Sequence, residues 1–393
     1  MRTLVTFLGR TPRQVKEDSY RETQYDFGGG ELTSPVAFFG WVLMQRLVEN
    51  SGLDRVVILG TSGSMWDHLF EQDIQLGDTH EDLRLSLVDA VENKEVTQRH
   101  LDQLAPVLKE HVGMEMVLHI IPYCQGESEQ VELLRIMDDL VEEGEQIELD
   151  VTHGFRHLPM LGLMAALFLR SVRGVVVNSI WYGAYDQETG VAPVHDLVGL
   201  LKIADWMQGL VSYDKDGDYS VFSKLLGGGR GELLAEAAYF ERVSNNSVAS
   251  QRLGSWMGLD ERVDPNDPAA VLFQPILEER LQWHKKSPQS QQEQSLAWVY
   301  LQKRDFVRAV IYGMEGLITA DCEHGSDPHN HDSREEAKEH LRDTETGFIT
   351  LGQIRNTLAH GNPPKEKVKR IIGSEKKLAN TLRSLFKQLN VRQ

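Results

Sequence analysis

Asp150-Val151-Thr152-His153-Gly154-Phe155-Arg156 is the stretch whose reading decides the fold. Before it, Gln146-Ile147-Glu148-Leu149-Asp150-Val151 alternates polar and apolar residues, the period of a strand. After it, Leu158-Pro159-Met160-Leu161 opens a long apolar run suited to a buried helix, with Pro159 tolerated in the first turn. Thr152, His153 and Gly154 therefore fall between the carboxyl end of a strand and the amino end of a helix. Open α/β sheets bind ligands at that point, where free backbone N–H groups favour phosphate. An ordinary β–α turn would have the same outline, so the rest of the chain has to decide.

Working outward, the first half alternates short apolar strands with helical patterns. Leu4–Leu8, Val56–Leu59, Met116–Pro122, Ile147–Val151 and Gly174–Asn178 read as strands, with Ser179–Tyr182 continuing or following the last. Ser34–Glu49, Ser128–Glu143 and Leu158–Val172 read as helices between them. Such alternation predicts a Rossmann-like domain with a mostly parallel sheet and right-handed crossovers. In a parallel sheet the turns after successive strands emerge at one edge. Gly9, Arg10 and Thr11 follow the first strand; Thr61, Ser62 and Ser64 follow the second; Thr152, His153 and Gly154 follow the fourth. Hydroxyls and backbone N–H groups gathered there suit a phosphodiester ligand better than an apolar one. The glycine turns do not form Gly-x-Gly-x-x-Gly and no Walker lysine is present, which disfavours NAD or ATP. Trp66 and Tyr182 are candidates for stacking on bases, although a core or rim role is the better reading.

The second half changes character. His195–Leu210 reads as a helix, Ser212–Arg230 is rich in Gly, Asp, Ser and Lys, and helical patterns dominate beyond it. These are Gly231–Val243, Ser290–Leu317, Ser333–Leu341, Phe348–His360 and Pro364–Leu389. Two domains are expected, 1–210 and 211–393, the second all-α. Within the last third, Gln353-Ile354-Arg355-Asn356-Thr357-Leu358-Ala359-His360-Gly361 combines an arginine, a polar residue directly after it and a histidine at a helix end. Five residues turn a helix by roughly 140° beyond one revolution, so Arg355 and His360 do not share a face squarely. Two such helices facing each other across a dyad could bring both pairs together. Gly361 with Pro363-Pro364 reads as a helix stop. His360 then lies in the last turn, where the helix dipole favours its protonated form. This run resembles the active-site motif of HEPN ribonucleases, and the resemblance implies metal-free RNA cleavage, in which the 2′-hydroxyl attacks the neighbouring phosphate with a cation at the non-bridging oxygens and help with proton transfer. Arg355 suits the first role, His360 the second, and Asn356 can orient the phosphate or the histidine.

The Asp-x-Thr-His-Gly run at Asp150, Thr152, His153 and Gly154 resembles the signature of a group of CRISPR-associated proteins. These carry a CARF (CRISPR-associated Rossmann fold) sensor domain, usually followed by a HEPN ribonuclease domain. Arg355-Asn356 and His360 resemble the HEPN active-site motif, in the order the family has. The resemblance implies a CARF domain followed by an all-α HEPN domain. It also implies a cyclic oligoadenylate activator bound across a two-fold dimer interface, and activated cleavage of single-stranded RNA in type III antiviral defence. Residues from about Val243 to Ser290 carry no recognised signature.

Composition sets the remaining bounds. At 393 residues the chain is long enough for two cores. Cys124 and Cys322 lie far apart without metal-ligand spacing, which suits a reducing cytoplasm. The amino terminus reads as a strand rather than a signal peptide, and Leu158–Leu169 is shorter than the roughly 20 residues that span a bilayer. No membrane role is expected. A formal net charge of -18 argues against broad affinity for nucleic acid, so positive charge should be local. Nine Lys or Arg fall between Gly361 and Gln393, against Glu366 and Glu375. That basic segment reads equally as a solvated amphipathic helix or a phosphate-tracking surface. Asp214-Lys215-Asp216-Gly217-Asp218 resembles the opening of a calcium loop, but Leu225 stands where the closing Glu is needed, so a solvated linker is expected. Cys322, His324, His329 and His331, with Asp327 and Asp332, lack a recognised metal spacing, and neither metal nor cofactor is expected. Two other functions stay open: a nucleotide-sensing regulator whose helical half binds RNA or protein without cutting, and a sensor that degrades its own cyclic ligand through Thr152 or His153. A homodimer or higher homo-oligomer is expected.

Overall fold

The computed structural model describes residues 1–12, 19–71, 74–155, 157–259, 267–361 and 365–393. Arg156 and the Pro363-Pro364 stop lie outside them. The chain divides into two compact units, Met1–Leu201 and Lys202–Gln393, against an expected junction after residue 210.

The amino-terminal unit is built on a seven-stranded sheet: β1 (Arg2–Leu8), β2 (Gln24–Asp26), β3 (Arg55–Gly60), β4 (Glu115–Ile120), β5 (Gln146–Asp150), β6 (Val176–Gly183) and β7 (Val191–Asp196). Their order is β2-β7-β6-β5-β1-β3-β4. The five strands from β6 to β4 are parallel, whereas β7 runs antiparallel to β6 and pairs in parallel with β2. Apart from the edge strand β2, the sheet grows from β1 through β3 to β4 on one side, then crosses back to β5 on the other. β1 and β5 thus flank the point where the winding reverses.

Central strands covered on both faces must be apolar on both faces, and these are. Leu4, Val56 and Ile58 pack with Phe39, Trp41, Leu43 and Leu47 of the helix Phe39–Ser51 and with Leu101, Leu104 and Leu108 of the helix Gln98–Val112. On the opposite face Val5, Phe7, Val57 and Leu149 meet Leu133 and Met137 of the helix Glu127–Leu140 and Ala165, Ala166 and Leu169 of the helix Leu158–Arg173. Among the buried polar exceptions are Thr6 and Asp150, register partners on β1 and β5, joined by a 2.6 Å bond from the Thr6 hydroxyl.

Two short elements escaped the sequence reading. β2 has three residues, and β7 carries Pro193 at the edge of the parallel block. The helix expected over His195–Leu210 begins only at Gly199, because Val191–Asp196 is drawn into the sheet by pairing with β6.

The carboxy-terminal unit is helical among its described residues. The single helix expected over Ser290–Leu317 is an antiparallel pair, Gln289–Gln302 and Phe306–Cys322. Arg304 turns the chain with φ at 62°, and Asp305 caps the second helix by accepting from the Arg308 N–H. No Gly or Pro marks this break, so the apolar pattern read straight through it. Pro364–Leu389 is likewise split, into Glu366–Ile372 and Glu375–Gln388, at Gly373-Ser374. The helix Thr346–His360 packs on Phe306–Cys322, and the Trp298 indole donates to the Val391 carbonyl at 2.9 Å, tying the end of the chain to the core. Asp214–Asp218 is not a solvated linker. It is the end of the helix Gly199–Asp216, with Asp214 gripped by Arg280 at 2.8 Å and Asp218 bonded to Arg242 and the Ser220 N–H.

At Gly9 a Cβ would lie 2.5 Å from the Gly154 backbone nitrogen, whereas at Gly254, inside the helix Asn246–Met257, it would meet open space. Gly9→Ala should therefore cost about 1–3 kcal/mol in urea denaturation. Gly254→Ala should add about 0.5–1 kcal/mol. Similar values for the two would refute the close-approach account.

Candidate functional site

The register of the parallel strands aligns Leu8 with Gly60 and Gly60 with Ile120, while Thr6 faces Asp150. The turns after β1, β3, β4 and β5 accordingly leave the sheet at one edge. They enclose a cavity of about 250 Å³ lined by Leu8, Gly9, Arg10, Thr61, Gly63, Ser64, Lys94, Tyr123, Gly154, Phe155 and Leu158. Arg10 and Lys94 make this lining cationic in a chain of net charge -18, and no carboxylate belongs to it among the described residues.

Of the residues expected to contact ligand, Gly9, Arg10, Thr61, Ser64 and Gly154 line the cavity. Thr61 and Ser64 are fixed by one another: the Thr61 N–H donates to Ser64 Oγ at 2.9 Å, and the Ser64 N–H to the Thr61 carbonyl at 3.1 Å. Arg10 is exposed and donates to the Val91 carbonyl at 3.3 Å. Ser62 stands just behind the wall, its Oγ 3.3 Å from the Tyr123 hydroxyl. Thr11 turns away, its hydroxyl on the Met65 sulfur at 3.6 Å. Trp66 is fully buried with its indole N–H on the Thr61 carbonyl, and Tyr182 is packed against the core.

Thr152 and His153 face inward. Thr152 Oγ1 accepts from the Gly183 N–H at 2.9 Å, and the Thr152 N–H donates to Asp150 at 2.8 Å. His153 Nε2 accepts from the Phe39 N–H at 2.9 Å, so it joins the loop to the first turn of the helix Phe39–Ser51. Burial, aided by the charge of His68, lowers its pKa to about 4, which keeps the ring neutral with its proton on Nδ1. Burial also raises the Asp150 carboxyl to about 6, against the hydrogen bonds from Thr6 and Thr152. Gly154 occupies φ 106°, a region closed to most side chains, and a Cβ there would strike Leu158.

Lys94, Tyr123 and Phe155 escaped the sequence reading. Tyr123 lies in the turn after a recognised strand, the same signal that led to Gly9 and Thr61, so its place was legible. Lys94 was not legible: it ends a helix far from any strand end and reaches the cavity only through the fold.

In the carboxy-terminal unit, Arg355 and Asn356 lie on the helix Thr346–His360, and His360 is its last residue, followed by Gly361 at φ 62°. His360 and Asn356 are exposed and Arg355 is half-buried, its Nη1 donating to Asn356 Oδ1 at 3.2 Å. No carboxylate pairs with Arg355 among the described residues. Lys367 bonds Thr350 on the same helix at 3.3 Å. All nine basic residues after Gly361 are exposed, and Lys369 alone has a carboxylate partner among the described residues. In the 322–332 loop, the Cys322 thiol is buried on the Ser333 carbonyl and Asp327 accepts from the His329 N–H.

The two inward groups of the loop oppose each other in acid. His153 has a folded pKa below its unfolded value near 6.5, so its contribution is complete above that value and is lost as pH falls toward 4. Asp150 has a folded pKa above 3.8, so the fold regains stability as pH falls from about 6. His153→Gln should therefore remove the acid loss, and Asp150→Asn should steepen it, each by about 1–3 kcal/mol between pH 6.5 and 4. Denaturation midpoints measured across that window check both signs, and parallel profiles for the three proteins would contradict the assignment.

Comparison with known proteins follows this division. Residues 3–183 match the family model described as the CARF domain of the CRISPR system endoribonuclease Csx1. The chain is also 26% identical over 244 residues to the CRISPR-associated protein MJ1674 of Methanocaldococcus jannaschii, an alignment covering 56% of this chain and 37% of that protein. The match thus spans little more than a third of that relative's length. No helix among the described residues is long and apolar enough to cross a membrane. The amino-terminal α/β unit is thus similar to the CARF domain of Csx1-type proteins, and a helical carboxy-terminal unit follows it.

Proposed function

We propose that this protein is a cytoplasmic, cyclic oligoadenylate-activated endoribonuclease of type III CRISPR defence, acting as a homodimer. The observation that carries the reading is the cationic, carboxylate-free cavity at the strand-order reversal of a CARF domain. A phosphodiester ligand suits that lining, because hydroxyls, a glycine-lined backbone and two cations converge on it while the deeper polar groups are already satisfied.

In this reading the helical unit is a HEPN ribonuclease. The exposed end of the helix Thr346–His360 supports it, with Arg355 free of carboxylate partners among the described residues and His360 at the carboxyl terminus of the helix. The negative end of the helix dipole favours a protonated imidazole there. Cleavage needs no metal: the 2′-oxygen of RNA bonds to the adjacent phosphorus as its proton is removed, the bond to the 5′-oxygen breaks, and that oxygen takes up a proton. Arg355 stabilises charge on the non-bridging oxygens, His360 moves the proton, and Asn356 holds Arg355. Two copies of the helix supply both halves of the site. Ligand binding would favour the dimer arrangement in which the halves meet.

Cleavage of a fluorescent single-stranded RNA in EDTA tests the reading, with cyclic tetra-adenylate, cyclic hexa-adenylate or no activator. The parent protein should cut only with one of the rings. His360→Ala and Arg355→Ala should each lose at least about 100-fold in rate. Retained cutting in both variants would overturn the assigned site.

A further inference from the structure

At about 250 Å³ the cavity falls just below the roughly 300–1,000 Å³ typical of small-ligand pockets, so it suits one nucleotide unit rather than a whole ring. Recognition of one unit needs a partner for its phosphate and a surface for its base, and two features of the lining meet those needs.

Lys94 has φ at 59°, an uncommon conformation for a residue with a side chain. It ends the helix Glu81–Asn93, and its N–H closes onto the Ala90 and Val91 carbonyls, which holds the strained backbone in place. A Cβ on Gly63 would lie 3.1 Å from Lys94 Cγ, so the lysine stem runs along Gly63 on the cavity wall. No carboxylate pairs with Lys94 among the described residues, and Arg10 is already engaged on the Val91 carbonyl. A desolvated phosphate would complete this charge.

Phe155 is the second feature. It is 46% exposed, unusual for a phenylalanine, and stands at the cavity beside Gly154. His157 stacks on it at 5.7 Å and 14°, Tyr123 lies 5.6 Å away at 52°, and the His157 Nε2 is 3.0 Å from the Tyr123 carbonyl. The aromatic step is thereby held from within the loop, leaving ring surface toward solvent. Exposed aromatic faces of this kind stack on bases.

We infer that Lys94 anchors a phosphate, and the Phe155–Tyr123 step stacks the base, of one nucleotide of the activator. The assignment rests on the reading of the cavity as a cyclic oligoadenylate site. Neither residue is part of the proposed nuclease site.

Equilibrium binding of labelled cyclic tetra-adenylate and cyclic hexa-adenylate tests it, measured over a salt series. Lys94→Met keeps the stem and removes the charge. It should weaken binding about 10-fold and make the dissociation constant less dependent on salt, because one phosphate contact no longer releases a counterion. Phe155→Leu should weaken binding roughly 5- to 150-fold without changing the salt dependence, and Phe155→Trp should restore it. A merely structural role for Lys94 would leave the salt dependence unchanged. Unaltered affinity and salt dependence in Lys94→Met, or unaltered affinity in Phe155→Leu, overturns the corresponding assignment. A parent protein that binds neither ring overturns the functional reading itself, and this assignment with it.

Discussion

The backbones of Gly9 and Gly154 approach so closely that a single methyl group on Gly9 would fall 2.5 Å from the Gly154 nitrogen. This contact closes the crevice between β1 and β5, where the strand order reverses. Just below it, Thr6 and Asp150 lock the two strands in register, and just beside it His153 ties the loop to the first turn of a neighbouring helix. With those constraints in place, the turns after four parallel strands have no choice but to meet at one edge. The cavity is what remains between them.

The polar residues of the Asp150–Gly154 loop serve that construction. A carboxyl raised to about 6, a neutral histidine and a threonine hydroxyl are all committed to protein partners. Buried polar groups must be satisfied in this way, since an unpaired one costs about as much as several good contacts bring. The groups left for a ligand are cheaper to keep exposed: the Lys94 ammonium and the Phe155 ring. In the amino-terminal unit, positive charge is thus brought to this cavity, which favours a small anionic ligand there.

The carboxy-terminal unit follows a different logic. Its core is an antiparallel helix pair on which Thr346–His360 is laid, so the exposed end of that helix is rigidly presented. Seven of the nine basic residues that follow lie on the outside of two helices whose inner faces hold Val368, Leu378, Leu382 and Phe386. A polyanion could track such a face. The roughly 140° between Arg355 and His360 makes one copy of the helix an incomplete site in the proposed ribonuclease.

Much of this was legible in the residues alone. Apolar periodicity located five of the seven strands, and the Asp-x-Thr-His-Gly run identified the turn that abuts Gly9. The helix stop at Gly361 was readable too, because local sequence dominates a helix end. What escaped depended on partners distant in the chain. β7 is a strand because β6 offers an edge, and the hairpin at Arg304-Asp305 exists because its two helices bury each other's faces. Lys94 meets the loop of Asp150–Phe155 only after the sheet has wound in both directions. Sequence therefore determined which residues could make a phosphate-binding turn, since backbone conformation and periodicity are local properties. Tertiary structure decided which of them face inward and which line the cavity, since burial and hydrogen-bond satisfaction depend on the neighbours that packing brings.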